Sequence, residues 1–232
     1  RGGCVSKHPV EAGERVRGIV YIQGNHPVPG DGSLAAGKAI MESVEGVTEA
    51  DLVLVLLSGG GSALATLPVE GVTLSEMQEM TIALLRSGAD INQMNAVRKH
   101  LDVIKGGGLL RLAAPAAVSA LVLSDVVGNH LDVIASGPTY PDTTTFAQAL
   151  EVVKRARASG VIPVSILDYL EKGTKGQVPE TVRPGDALAV NANHKIIGSN
   201  LESCQAAVQK AREIGFYAEL VTTNLVGEAR ET

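Results

Sequence analysis

The chain has 232 residues and 24.0 kDa, of which 45% are hydrophobic and 19% charged; that composition excludes wholesale disorder, and 26 Gly without a triplet period exclude a collagen-like chain. Twenty acid-balancing bases against 25 acids leave a net charge of −5 and a pI near 5.6, which speaks against a dedicated nucleic-acid or anionic-membrane binder. Two cysteines without a CxxC pair, Cys4 and Cys204, make neither a disulfide scaffold nor a Cys-based zinc site and suit a reducing compartment; 3% aromatics and no Trp argue against a base-stacking surface.

In chain order, Arg17–Ile22 reads as a strand and Asp31–Val44 as a helix after a Pro/Gly-rich turn. Asp51–Leu57 is a continuous apolar run, the pattern of a strand buried on both faces; it holds the longest apolar run, too short to span a bilayer. Leu74–Arg86 recurs at helical spacing, and Asp90 N-caps a further helix to about Leu101. Ala117–Leu123 is a second buried strand. Phe146–Ala158 and Pro163–Glu171 are helices, Ala187–Asn191 a short strand, Asn200–Ile214 a helix and Tyr217–Val221 a strand. Gly173–Asp186, rich in Gly, Pro and charge, reads as a surface excursion. Strand–helix alternation predicts an α/β fold, a mainly parallel sheet covered on both faces in one domain over residues 1–232. The chain starts at Arg1-Gly2-Gly3 and stops as a helical pattern begins, so both ends are expected to continue in a longer protein.

In such sheets ligands bind beyond the carboxyl ends of the strands. After Leu57 comes Ser58-Gly59-Gly60-Gly61-Ser62, where backbone N–H groups, two hydroxyls and a following helix predict a phosphate or carboxylate site; a tight turn explains the same glycines. No Lys-Ser/Thr follows, so it is not a Walker A loop, and Leu64 stands where the last Gly of a dinucleotide fingerprint belongs. After Leu123 comes Ser124-Asp125, and Asp125 is a candidate to hold Mg²⁺ or to accept the proton of a substrate hydroxyl. Asp132 and Ser136-Gly137-Pro138-Thr139 add a polar set. Asn95 shares a helix face with Arg98 and Lys99, and Lys105 precedes a glycine run; cations beside glycines suit phosphate neutralisation, as an ordinary solvated helix face also would show. His26, in a loop stiffened by Pro27 and Pro29, is a candidate substrate contact or a structural hydrogen-bonder.

Taken in order, Gly24-Asn25-His26-Pro27-Val28-Pro29, Leu57–Leu64, Asn95–Leu101, Ile104–Gly107, Leu123–Gly128, Asp132–Thr139 and Gly227-Glu228-Ala229-Arg230 resemble the glycerate 2-kinase family, the class II glycerate kinases that carry a MOFRL domain. The resemblance implies a Rossmann-like, three-layer α/β/α domain joined to a C-terminal domain across the active-site cleft. It implies ATP-dependent phosphorylation of D-glycerate at the 2-hydroxyl, with Mg²⁺, in the cytoplasm. In that frame Ser58, Gly59, Gly60, Gly61 and Ser62, with Ser136, Gly137 and Thr139, bind the cofactor; Asp125, Arg98, Lys99 and Lys105 are catalytic; His26 and Asn95 meet substrate; and Asp125 is the metal ligand. Expected partners are glycerate, ATP, the C-terminal domain and a second copy as a homodimer, with no nucleic acid and no membrane. The family's catalytic Lys lies upstream of Arg1 and an Arg lies in its C-terminal domain, and Gly108 stands where Arg is common, so the 232 residues alone are expected to be inactive. The rival expectations are an NAD(P)-dependent hydroxypyruvate reductase and a non-catalytic nucleotide- or anion-binding module.

Overall fold

The structure, a computed structural model, describes residues 1–225; the Gly227–Arg230 motif lies outside the described residues. Strands β1 (Gly2–Ser6) and β2 (Ile19–Gln23) pair in parallel, with Gly2 opposite Ile19 and Ser6 opposite Gln23. Helix α1 (Asp31–Ser43) leads to β3 (Leu52–Leu57), the short α2 (Gly61–Leu64), α3 (Leu74–Arg86), α4 (Ile91–His100) and α5 (Gly108–Ala113). Then come β4 (Ala117–Leu123), α6 (Phe146–Ala156), α7 (Val164–Thr174), the short α8 (Ala187–Val190), β5 (Ala192–Gly198) and α9 (Asn200–Glu213).

Caps written in the sequence set several helix starts. Thr73 and Glu76 cap α3 reciprocally: the Glu76 N–H donates to Thr73 Oγ1 at 3.2 Å, and the Thr73 N–H to Glu76 Oε2 at 2.7 Å. Asp90 with Gln93 does the same for α4, and Thr145 with Gln148 for α6. The faces so presented bury Met80 and Leu84 of α3, Val97 of α4, Val153 of α6, and Ile166 and Leu170 of α7 in one helical core. A smaller core lies under the β3–β4–β5 sheet, where Val118, Ala120 and Val122 alternate inward.

The α/β class with parallel strands stands, with these particulars. Among the described residues the strands form two sheets, β1–β2 and β3–β4–β5. The β3 run is covered on one face only: Leu52, Leu54 and Leu56 are 66%, 58% and 70% exposed, because no described element packs on that side. Ala187–Asn191, expected as a strand, is mostly the α8 turn, and the ladder is formed instead by Ala192–Gly198. Asp186 leads into that turn, and its carboxylate accepts from the Arg183 N–H at 2.6 Å. Tyr217–Val221 makes no strand. The Gly173–Asp186 stretch is not wholly a surface excursion: the Val182 N–H donates to Gly106 O, Val182 O accepts from the Asp142 N–H, and Val182 is fully buried.

Candidate functional site

Parallel register places Leu57 of β3 beside Val122 of β4, so the segments that follow them leave the sheet side by side. Gly59 and Asp125 therefore meet: a side chain at Gly59 would collide with the Asp125 carboxylate. Asp125 is exposed and makes no hydrogen bond or ion pair among the described residues. Gly60 sits at φ +82°, in the left-handed region that glycine adopts without cost, with His26 beside it. A Cβ on Gly61 would stand 2.7 Å from that of Ala135. Ser62 closes the loop, its Oγ 2.8 Å from Ser136 Oγ. The N–H groups of Gly59, Gly60, Gly61 and Ser62 have no acceptor among the described residues, whereas the carbonyls of Gly60 and Gly61 accept from Ala63, Leu64 and Ala65.

His26 reaches this loop because its own loop is tied back. Ser33 Oγ on α1 accepts from the N–H groups of Asn25 (3.0 Å) and Gly30 (3.2 Å), and Asn25 Oδ1 accepts from the Gly32 N–H at 3.0 Å.

Behind Ser62 the chain turns left-handed at three successive residues, Ala135 (φ 52°), Ser136 (φ 61°) and Gly137 (φ 61°). For Ala and Ser this costs about 1–3 kcal/mol each and persists only where the surroundings impose it. Here the surroundings are visible. Ser136 O and Gly137 O accept from the N–H groups of Gly106 (3.0 Å) and Gly107 (2.7 Å), and Ser136 Oγ donates to Asn95 Oδ1 at 3.2 Å.

Two cations stand past Ser62. Arg98 lines a cleft with Pro29, Ser62, Thr66, Gln78 and Lys105. Its guanidinium has no hydrogen-bond or ion-pair partner among the described residues, and burial pushes its pKa down from the ordinary arginine value; a guanidinium remains charged at neutral pH nonetheless. Lys105 is committed: it pairs with the buried Asp102 carboxylate and donates to Ala65 O at 3.0 Å. Asp102 also accepts from Thr66 Oγ1 (2.6 Å) and the Ile104 N–H (2.9 Å). The loop thus runs from a free carboxylate at Gly59 to a free guanidinium at Ser62. Among the described residues no cluster of three or more His, Cys, Asp or Glu would hold a metal by itself. A lone exposed Asp125 instead fits a Mg²⁺ ion that brings its own phosphate and water ligands.

Three of the sequence-predicted residues do other work. Lys99 is 3% exposed and its Nζ lies 3.1 Å from Asp142 Oδ1 and 3.4 Å from Asp132 Oδ2, so its charge is spent inside the fold. Gly137 is buried in the left-handed turn. Thr139 is 1% exposed, and its carbonyl and hydroxyl face His194 Nε2 at 2.8 and 3.1 Å. All three are buried. Ser136 and Asn95 are both buried; Ser136 meets the loop at Ser62, and Asn95 meets Ser136. Sequence reasoning missed Thr66 and Gln78 at the cleft, and Asp102 and Asp142 as the buried partners of Lys105 and Lys99. Only Asp142 carried a local signal, in a Pro-Asp-Thr-Thr turn where Asp142 Oδ1 accepts from the Thr144 N–H at 3.0 Å.

Residues 1–171 match the family model described as a domain of unknown function, DUF4147. The chain is similar to the D-glycerate 2-kinase of Thermotoga maritima, at 42% identity over 231 residues, which covers 100% of this chain and 52% of that relative. It is similar in structure to the glycerate kinase of Thermotoga maritima, with a TM-score of 0.76 at 39% identity over 91% of this chain and 49% of the other. A relative from Agrobacterium vitis, 38% identical over 97% of this chain and 48% of its own length, carries the name putative hydroxypyruvate reductase. The chain thus spans about half the length of the curated relatives it matches. Among the described residues no helix is long and apolar enough to cross a membrane.

Proposed function

Since the chain belongs to the DUF4147 family, we propose that it carries the glycine-loop part of an enzyme that transfers the γ-phosphoryl group of ATP to the 2-hydroxyl of D-glycerate. The observation that carries this reading is the Gly59–Ser62 loop itself, with four N–H groups that have no acceptor among the described residues, between the Asp125 carboxylate and the Arg98 guanidinium. Phosphoryl transfer needs positioning and charge neutralisation rather than covalent help from the protein. The free N–H groups and Arg98 supply the neutralisation for phosphate or carboxylate oxygens. Asp125 is the group for Mg²⁺, which when bound offsets phosphate charge, or for the hydroxyl proton. His26, over Gly60, closes the loop from the other side. The same reading places the enzyme in the cytoplasm and has a further domain of the same polypeptide completing the cleft.

The name of the Agrobacterium relative keeps hydride transfer as the rival. The loop speaks against it, because Leu64 occupies the last glycine position of a dinucleotide fingerprint. The natural full-length protein, given D-glycerate, ATP and Mg²⁺, is expected to release ADP and 2-phosphoglycerate. Oxidation of NADH or NADPH with hydroxypyruvate, without ADP release in the first assay, would replace the kinase by the reductase. Nucleotide binding without turnover in either would leave a binding module.

A further inference from the structure

Ser136 carries more structure than a ligand contact requires. It is fully buried, holds a left-handed φ of 61° that serine rarely adopts, and among the described residues has its hydroxyl between two side chains, Asn95 and Ser62. Ser136 Oγ donates to Asn95 Oδ1 at 3.2 Å and lies 2.8 Å from Ser62 Oγ. A hydroxyl has one proton. With that proton given to Asn95, the short contact to Ser62 is made by the Ser62 proton, which points inward. The Ser62 oxygen is then left at the cleft with lone pairs and no proton to give. An oxygen so fixed repels phosphate and carboxylate oxygens and attracts a donor. The N–H groups of the same loop have the opposite polarity, and Arg98 lies in the same cleft.

We propose that Ser136, backed by Asn95, is a positioning residue that fixes Ser62 as a hydrogen-bond acceptor for the substrate hydroxyl that is not phosphorylated, while the loop N–H groups and Arg98 take its anionic oxygens. The inference rests on the kinase reading and assigns, inside that site, which atoms meet hydroxyl and which meet charge. It corrects the simpler idea that both serine hydroxyls of the loop donate to a phosphate. The left-handed backbone fits the same role: Ala135 packs under Gly61 while Ser136 reaches Ser62, so one turn sets both the height of the loop and the direction of its last hydroxyl.

The test is a double-mutant cycle in the natural full-length protein with Ser62→Ala, Ser136→Gly and both together. Glycine takes φ 61° without strain, which offsets part of the lost hydrogen bond and keeps the variant folded. Each single change is expected to lower kcat/KM for D-glycerate about tenfold, the effect of one hydrogen bond, with KM for ATP within about twofold of wild type. The double variant is expected to be no worse than Ser62→Ala, since Ser136 acts through Ser62. Multiplied losses, or an unchanged Ser136→Gly enzyme, would overturn the inference. Amide hydrogen exchange gives a readout that needs no turnover: Ser136→Gly is expected to speed exchange at Ala63 and Leu64, whose N–H groups donate to Gly60 O, and to leave α6 and α7 as they were. Unaltered exchange at Ala63 and Leu64 would overturn the positioning role. Faster exchange in a protein that never phosphorylates glycerate would retain that role and remove the kinase reading instead.

Discussion

The imidazole of His26 lies against the α-carbon of Gly60, so close that a Cβ built there would stand 3.1 Å from His26 Cδ2. Gly60 also holds φ +82°. Both facts fall on the central residue of the candidate anion loop: a side chain there would crowd His26 and would strain the backbone.

Gly60→Val is therefore expected to do two separable things. A β-branched residue in the left-handed region costs about 1–3 kcal/mol of stability, which shows as a lower midpoint in urea. The clash with His26 shifts the loop, and turnover is expected to fall by at least about a hundredfold, the scale on which misplaced binding groups act. A folded Gly60→Val protein with normal turnover would remove the loop from the site.

Lys99 is expected to matter for folding and not for chemistry. Removing one member of a buried pair leaves the other charge uncompensated, at about 3–5 kcal/mol; here the stranded group is Asp142, which is fully buried. Lys99→Ala is predicted to lower the unfolding midpoint steeply, and the folded fraction that remains, measured at low temperature, is predicted to keep the wild-type KM for ATP. A stable Lys99→Ala protein with lost turnover would return Lys99 to the catalytic group.

Asp125→Asn should give the reverse. Asp125 is exposed and without a partner among the described residues, so stability is expected to stay within about 0.5 kcal/mol of wild type. Turnover is expected to drop about 10²–10⁴-fold, the range for a lost proton acceptor in the transition state. Calorimetric unfolding and ADP release measured on one preparation check both halves.

Glu180 supplies the pH dependence. Burial alone would raise its carboxyl, but the contact with His100, the Thr181 N–H and the Arg183 charge outweigh it and hold the group below its ordinary 4.5. His100 Nε2 lies 2.9 Å from Glu180 Oε1. A depressed folded value means that the stabilisation is present above the ordinary value and is lost as pH falls through the folded one. Glu180→Gln is thus expected to be less stable than wild type at pH 7, by roughly 0.2–1 kcal/mol for a half-exposed group. The two proteins should converge in urea midpoint as the pH is taken well below 4.5. A constant difference across that range would show that Glu180 acts by shape rather than charge.

The sequence disclosed local features and concealed distant ones. Thr73 with Glu76 and Asp90 with Gln93 are contacts within one turn, so the helices they cap could be read directly. The glycine loop after β3 was legible for the same reason: a buried-side strand, then residues free to take φ +82°. The partners of Lys99 and Lys105 were not, because Asp142 lies 43 residues from Lys99 and Asp102 reads as one more polar residue until Thr66 and Leu67 close on it. The β3 run misled because continuous leucine and valine imply cover on both faces, while the described residues place cover on one. β5 was missed because Asn193 and Lys195 interrupt its apolar residues on the open side of an edge strand, which left the adjoining Ala187–Val190 as the more strand-like string.

In the proposed site the Gly59–Ser62 loop binds the anionic groups of the reactants between Asp125 and Arg98. A crystal structure of the natural full-length protein with ADP, Mg²⁺ and D-glycerate tests it most directly. Phosphate or carboxylate oxygens are expected within about 3 Å of at least two of those N–H groups, with Arg98 on the same ligand and a substrate hydroxyl on Ser62 Oγ. Both ligands bound elsewhere, with the four N–H groups facing solvent or turned to backbone carbonyls, would contradict it.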